Sequence, residues 1–297
     1  MVKVDLSIII ISYNTREITK KCLESVWRSL KNTKINYEVI VVDNISKDGS
    51  VEMLSQLSQN KQNHLVFAAN RNNVGFGQGN NQAVKIAQGK YILFLNSDTV
   101  ILNNAIEKLY QYYVTNEKQV QFAGAKLLNK DLTPQSSAAW FFSLPVIFAA
   151  LFLRGDYWGL TRFSPNETKK VDWLSGACIL TKKSFYQKLD GFDETIFMYM
   201  EEVDLLYRAK KMGWHTYIYP SAQIVHLGSA SSCGKTFPIL QVFKGFIFFY
   251  RKHRSKLALF MLKILLKLKA LLAYILGRIT NNQYLIKTYG EAFKVVG

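Results

Sequence analysis

The sequence is poor in cysteine and short of acids. Its three cysteines, Cys22, Cys178 and Cys233, are widely separated and make no Cys-x-x-Cys spacing. That excludes a disulfide framework and a zinc site, and points to a reducing compartment with buried or idle thiols. No secretory signal is visible: the first apolar run, Leu6 to Ile11, follows the acidic Asp5, is too short and lacks a small-residue cleavage site. A membrane span is also missing. Thr133 to Leu153 carries no charge, but its strongly apolar part, from Ala138, is shorter than a spanning helix and contains Pro145. This segment reads as a core element; a patch dipping into a bilayer, or a wall for a lipid acceptor, are the alternatives.

The 297 residues leave room for one large α/β domain with an appendage, or for two small domains. An apolar fraction of 49% supports a real core and argues against disorder. Thirty-eight Lys and Arg against 21 Asp and Glu give a net charge of +17, which favours anionic partners: nucleic acid, a membrane surface or phosphorylated substrates.

Buried strands are legible as apolar runs that stop abruptly at small polar residues. Leu6 to Ile11 ends in Ser12-Tyr13-Asn14, Tyr37 to Val42 in Asp43-Asn44, and Tyr91 to Leu95 in Asn96-Ser97-Asp98. His64 to Ala68 is a shorter strand running into Asn70 to Asn81. Helices fall between them: Thr15 can cap one through Cys22, Val26 and Leu30, and others cover Val51 to Leu57 and Val84 to Ile86. Repetition of strand, polar end and helix is the α/β pattern with a mostly parallel sheet, so the polar ends converge along one edge, where ligands of such sheets bind. An Asn-x-Asp after a strand suits a hard divalent cation, although a capped turn has the same residues. Gly75, Gly77 and Gly79 alternate, so the segment is neither a dinucleotide fingerprint nor a P-loop. It is either a flexible turn feeding a helix or a backbone that comes close to a nucleotide sugar.

Further along, Asn103 to Tyr113 reads as a helix, Gln121 to Leu127 and Val171 to Leu180 as strands. Glu201, Glu202 and Asp204 open a helix that Gly213 ends. Acids there are often dipole partners. Glu201 and Glu202 point in different directions, so one could face the site while the other supports it, with Asp204 paired to Arg208 at i,i+4. His226 ends another strand and reads as a hydrogen-bonded structural residue or a metal ligand.

The combination resembles the inverting, GT-A-fold glycosyltransferases of family 2, closest to their rhamnosyltransferase-like branch. It is carried by Ser-Ile-Ile-Ile-Ile-Ser12-Tyr13-Asn, Val-Val-Asp43-Asn-x-Ser-x-Asp-Gly-Ser, Asn73-x-Gly75-Phe76-Gly77-x-Gly79-Asn80 and Leu-Asn96-x-Asp98. Gly191-Phe-Asp-Glu-x-x-Phe-Met-Tyr-x-Glu201-Glu202-x-Asp204-Leu, Gly213-Trp and His226-x-Gly228, followed by Ser229, Ala230, Ser231 and Ser232, complete the order. The likeness runs over about residues 5 to 232.

That resemblance implies a Rossmann-like GT-A domain over residues 1–235 and a nucleoside-diphosphate sugar donor, dTDP- or UDP-linked. It places Ser12 and Tyr13 near the nucleoside, Asp43 on the base, and Asn73, Gly75, Phe76, Gly77, Asn80, Asn96 and Ser97 around the donor. Asp98 would hold Mg²⁺ or Mn²⁺, assisted by His226. The family's catalytic base is the second acid of its Glu-Asp pair, which here is Glu202, a methylene longer, beside Glu201. A carboxylate there takes the acceptor's proton, a cation neutralises the leaving diphosphate, and direct displacement inverts the anomeric carbon.

Residues 236–297 break the alternation. Leu240 to Tyr250 and Leu257 to Leu276 read as apolar helices punctuated by cations, with Lys252, Lys256, Lys263, Lys267 and Arg278 in one arc and Lys269 on the apolar side. A helix lying in the interface of an anionic membrane suits this, each surface cation adding about 1 kcal/mol. A bundle packed on the domain or a homodimer interface are the alternatives. No nucleic-acid-reading motif accompanies the charge. The expectation is a peripheral enzyme on the cytoplasmic face of the membrane, extending a lipid-linked glycan of a bacterial surface polysaccharide. A soluble acceptor, or a non-catalytic membrane scaffold that keeps the fold, are the competing readings.

Overall fold

The computed structural model describes residues 3–228 and 236–297. Its first part alternates as the apolar runs require: β1 (Leu6–Ser12), α1 (Arg16–Leu30), β2 (Tyr37–Asp43), α2 (Ser50–Gln59), β3 (Leu65–Ala69), α3 (Gly75–Ile86) and β4 (Tyr91–Asn96). There follow β5 (Thr99–Ile101), α4 (Ala105–Thr115), β6 (Phe122–Leu128), β7 (Pro134–Gln135), β8 (Ala138–Ala139) and α5 (Leu144–Phe152). Then come β9 (Arg162–Phe163), β10 (Lys169–Val171), β11 (Trp173–Leu174), β12 (Cys178–Lys182), α6 (Lys183–Lys188), α7 (Glu201–Lys211) and β13 (Thr216–His226). Three C-terminal helices close the chain: α8 (Thr236–His253), α9 (Lys256–Ile279) and α10 (Gln283–Val296).

The main sheet has the order β10-β13-β6-β12-β4-β1-β2-β3, with β5 on β13 and β7 on β6. Its half from β4 to β3 is parallel, in register from Ser12 opposite Asp43 and Ile11 opposite Asn96. The carboxyl ends of these strands are therefore level. Beyond β4 the sheet is mixed: β12 enters antiparallel, Cys178 opposite Leu95, and β13 runs parallel to β6 before pairing His226 with Thr99 of β5. Both arrangements return chain to the same edge. A three-stranded sheet, β11-β8-β9, stands apart.

The strands bury on both faces because their side chains are branched or aromatic throughout; Ile8, Ile9, Ile10, Val39, Ile40, Val41 and Phe94 are all fully covered. Cys22 and Cys178 are free and buried, and burial pushes both thiols up to about 12, which leaves them unreactive. Cys233 lies outside the described residues, as do Ser229, Ala230, Ser231 and Ser232.

Thr15 precedes α1 but does not cap it with its side chain, contrary to expectation. Its hydroxyl meets Thr19 Oγ1 at 3.0 Å, and the N–H of Arg16 is instead accepted by Asp48 Oδ2 at 2.8 Å. A carboxylate from the loop after β2 satisfies the helix N-terminus better than a hydroxyl, because it carries charge.

By packing, the chain forms two units. One is the α/β unit of residues 1–140, 162–197 and 201–231; the other is helical and takes in 141–161, 198–200 and 232–297. The helical unit thus draws in the uncharged stretch around α5 besides the C-terminal helices. α10 has no counterpart in the sequence reading: Asn282 starts it by accepting the N–H of Leu285 at 3.2 Å.

Candidate active site

The ends of β1 and β2 form the first part of the site. Asp43 is fully buried and accepts from both Ser46 N and Ser46 Oγ at 2.7 Å, which closes the loop after β2 into a tight turn. Asn14 locks the two strand ends together, donating its N–H to Ser46 Oγ at 2.7 Å and accepting from Lys47 N at 2.8 Å. Asn44 reaches across to Gly75 O at 3.1 Å, and Asn70 bridges Asn44 and Gln82. Ser12 Oγ is buried here without a hydrogen-bond partner. An orphaned hydroxyl at a strand end costs free energy unless something donates to it or accepts from it. Tyr13, half-buried, follows it.

The second part is the turn after β4. Asp98 Oδ1 lies 3.3 Å from His226 Nε2, and Asn96 Nδ2 lies 3.3 Å from the same nitrogen. Gln135 decides the tautomer. Its Nε2 donates to His226 O at 3.1 Å and to Asn129 Oδ1 at 3.0 Å, so its Oε1 is the atom 2.7 Å from His226 Nδ1. Nδ1 therefore carries a proton, and in the neutral ring Nε2 presents a lone pair that faces both the Asn96 amide and the Asp98 carboxylate. Two acceptors facing each other at this distance need a proton or a cation between them. Among the described residues no group of three or more His, Cys, Asp and Glu gathers at one point. Two ligands are nonetheless what Mg²⁺ or Mn²⁺ takes when substrate phosphates and water complete its shell, so the pair fits such an ion. Ser97, buried in the same turn, stands between Asn96 and Asp98.

The acid pair forms the third part. Glu201 is buried with Oε2 unpartnered, and burial, then the neighbouring Glu202, raise its carboxyl well above the ordinary range. Glu202 is half-buried. Its Oε2 is as buried as that of Glu201, so the two acids differ in overall burial and not in one oxygen lying open. Asp204 is fully buried and accepts from Arg208 Nε at 2.8 Å, while Arg208 also donates to Leu189 O and to Gly191 O at 2.7 Å. Gly213 ends α7 in the left-handed region, φ +77, its N–H on Lys210 O.

The turn 175–177 joins the second and third parts. Ala177 O accepts the Asn96 N–H at 3.0 Å, and a Cβ on Gly176 would stand 3.9 Å from Glu202 Cβ and 3.6 Å from the Phe76 ring. The Asn96 end of β4 and Glu202 therefore flank one short turn. The glycines of α3 approach protein: Gly75, at φ +83, lies so close to Phe197 O that no Cβ fits, while a Cβ on Gly77 would meet Phe192 and one on Gly79 would meet Ile11, each at 3.2 Å. Asn80 donates to Phe76 O at 2.9 Å, and Asn73 accepts from Gly75 N at 3.0 Å. Gly75 and Gly77 let α3 press against the segment that leads to the acids, and Gly79 lets it press against β1.

The model of the family described as "Glycosyl transferase family 2" matches residues 7–200. This chain belongs to glycosyl transferase family 2. The Escherichia coli (strain K12) rhamnosyltransferase WbbL is 28% identical over 232 residues, 74% of this chain and 82% of its own. An N-acetylglucosaminyl-diphospho-decaprenol L-rhamnosyltransferase of Mycobacterium tuberculosis (strain CDC 1551 / Oshkosh) is 48% identical over 65 residues, 22% of this chain. The alignment spans only 21% of that relative's length. Among solved structures, the mannosyltransferase PcManGT from Pyrobaculum calidifontis, in complex with GDP-Man and Mn²⁺, superposes with TM-score 0.60 at 12% identity, covering 100% of this chain and 86% of that one. The fold is GT-A.

For a family 2 member, the residues that the sequence left unnoticed are the ones that hold others. Gln135 sits in a two-residue strand inside the uncharged stretch, and orients His226. Asn81 on α3 donates to Phe192 O at 2.9 Å and to Glu194 Oε1 at 3.0 Å, fixing the chain ahead of the acid pair. Glu201, Glu202 and His226 lie beyond the matched range of the family model.

Proposed function

We propose that this family 2 protein moves a sugar from a nucleoside-diphosphate sugar to a hydroxyl group of a glycan acceptor, with inversion at the anomeric carbon. The reading is supported by the turn 175–177, which Asn96 contacts at the end of β4, two residues before the Asp98–His226 pair, and Glu202 contacts from α7. An acceptor hydroxyl gives its proton to a Glu202 oxygen as its own oxygen forms the new bond to the anomeric carbon. On the opposite face the bond from that carbon to the diphosphate oxygen breaks, and the nucleoside diphosphate leaves with the electron pair. No covalent sugar–enzyme intermediate is needed.

Asp98 and His226 Nε2 would hold Mg²⁺ or Mn²⁺, which when bound supplies positive charge to the departing diphosphate. Gln135 keeps the imidazole in the tautomer that leaves Nε2 open. Ser12 Oγ and the Asp43–Ser46 turn offer the nucleoside a buried hydroxyl and a rigid floor. Burial, then the neighbouring Glu202, raises the Glu201 carboxyl and so favours its protonated form.

A rhamnose-type sugar is favoured by the named activity of the Escherichia coli relative, and dTDP as its carrier, with UDP next, is what the family resemblance implies. The decaprenol-linked acceptor in the mycobacterial relative's name favours a lipid-linked glycan here. The test is a thermal-shift screen of the purified chain against dTDP- and UDP-sugars with Mn²⁺, followed by acceptor-dependent release of nucleoside diphosphate. A donor that stabilises the fold and is turned over supports the reading. Donor binding with no release in the presence of any glycan acceptor refutes transfer and leaves a sugar-nucleotide-binding scaffold.

A further inference from the structure

The helical unit exposes a face that its own packing does not use. α9 buries Leu262, Leu266, Ala270 and Gly277, spaced by one or two turns, and Gly277 lets α10 close in until a Cβ would meet Leu285 Cβ at 2.8 Å. On the other side of α9 the side chains are apolar as well. Phe260, Ile264, Leu268, Leu271, Ile275 and Ile279 recur three or four residues apart and are all exposed. A helix of this kind has two apolar sides, and among the described residues only one of them is covered.

Charge decides what suits the other. Between Thr236 and Gly297 eleven residues are Lys or Arg, and Glu291 is the only acid. Lys256, Lys263, Lys267 and Arg278 line one border of the exposed stripe, at ~100° per residue. Lys263 Nζ reaches Gly297 O at 3.1 Å, and Lys267 lies over Phe293 at 5.7 Å, so this row follows the seam between α9 and α10. Elsewhere in the helical unit, Tyr157 and Trp158 are 76% and 67% exposed, residue types that settle at the level of lipid headgroups. Within the same unit, the Lys269 ammonium is tied to Leu151 O of α5 at 2.7 Å, which removes the one cation on the far side from the stripe. No helix among the described residues is long and apolar enough to cross a membrane.

We propose that the exposed face of α9 lies flat on an anionic lipid bilayer, its apolar stripe in the acyl boundary and the bordering cations against the headgroups. The helix has 24 residues, about 36 Å of contact at 1.5 Å per residue, all available in the plane. The near absence of acid in the unit matches a surface of uniform negative charge better than a protein partner of mixed charge.

Co-flotation of the full chain with phosphatidylcholine vesicles, with and without phosphatidylglycerol, tests this without requiring any transfer activity. The expected result is flotation with the anionic vesicles, weakened by high salt. Ile264→Glu combined with Leu271→Glu lowers the bound fraction at least tenfold at unchanged helix content and melting temperature, since both positions are exposed. Lys256→Glu with Arg278→Glu, also exposed, abolishes only the preference for anionic lipid. The proposal is overturned if the chain stays with the pellet at every lipid composition, or if the Ile264/Leu271 variant floats as well as the original. It is equally overturned if sedimentation shows a dimer that the same variant dissociates while neither protein floats.

Discussion

Gln135 holds His226: its carbonyl oxygen is 2.7 Å from Nδ1 and its amide nitrogen is on the histidine's own carbonyl at 3.1 Å. One side chain thereby fixes ring position, ring orientation and tautomer, and turns the lone pair of Nε2 towards Asp98. Groups that orient a metal-binding histidine affect ion affinity by about 10- to 100-fold. Gln135→Ala is therefore expected to raise the Mn²⁺ concentration for half-maximal transfer by that range, and Gln135→Glu, which can still accept from Nδ1, to raise it much less. A manganese titration of both variants at saturating donor is the check; identical curves for Ala and the original residue would remove Gln135 from the site.

Glu202 is the proposed general base, and general-base assistance is worth about 10²- to 10⁴-fold. Glu202→Gln should lose transfer by that amount while binding the donor normally, because the amide keeps size and loses basicity. Glu202→Asp, one methylene shorter, should retain part of the rate. Single-turnover transfer and donor titration on the same samples separate the two effects. Full activity in the Gln variant would assign the base elsewhere.

Glu201 makes a separate, thermodynamic prediction. Burial, reinforced by Glu202, raises its carboxyl, so the folded chain keeps a proton that the unfolded chain releases above its ordinary pKa of ~4.3. A raised acid costs stability as pH climbs from that value towards the folded one. Glu201→Gln imitates the protonated form and removes the cost. Urea unfolding between about pH 4 and pH 8 should show the variant gaining on the original as pH rises. A constant gap, or none, would mean that Glu201 is charged in the folded protein.

The sequence reading reached the parts of this molecule that depend on neighbours along the chain. Strands made of Ile, Val and aromatic residues ending in Ser12, Asp43 and Asn96 need cover on both faces, and their level ends follow from a parallel register. Asp204 with Arg208 follows from helical spacing. Contacts between distant segments were out of reach. Asn81 meets Phe192 across 111 residues and Gln135 meets His226 across 91, and no periodicity spans such gaps. The alternating glycines were visible but ambiguous, because a close approach to a ligand and a close approach to Phe197 ask for the same missing side chain.

Gly75 can be tested on that point. It holds φ +83, and its Cα faces Phe197 O, where the Phe76 N–H also donates at 3.1 Å. Gly75→Ala combines left-handed strain of about 1–3 kcal/mol with loss of that hydrogen bond, about 1 kcal/mol more. A drop in the urea midpoint of this size, together with lost transfer, is expected. An alanine variant as stable as the original would show that α3 and the Phe197 segment can part at no cost.

The last residue before the acids is set from further away. Tyr199 and Met200 both sit in the left-handed region, φ 67 and 78, directly ahead of Glu201. Such conformations persist only where packing imposes them. Met200 is buried and packs on Gly245 of α8 so closely that a Cβ there would overlap its side chain. Residues 198–200 accordingly belong with the helical unit, although the acids that follow belong with the α/β unit. Gly245→Val should push Met200 and turn the start of α7, moving Glu202 relative to the acceptor. Valine forms helix at least as well as glycine, so α8 itself is not weakened. A misplacement of about 1 Å costs on the order of 100-fold in rate, and the ends of β1, β2 and β4, proposed to take the donor, are untouched. The turnover number should therefore fall steeply at a nearly constant donor KM. A proportionate rise in donor KM would instead show that the strained pair supports the nucleotide side of the site.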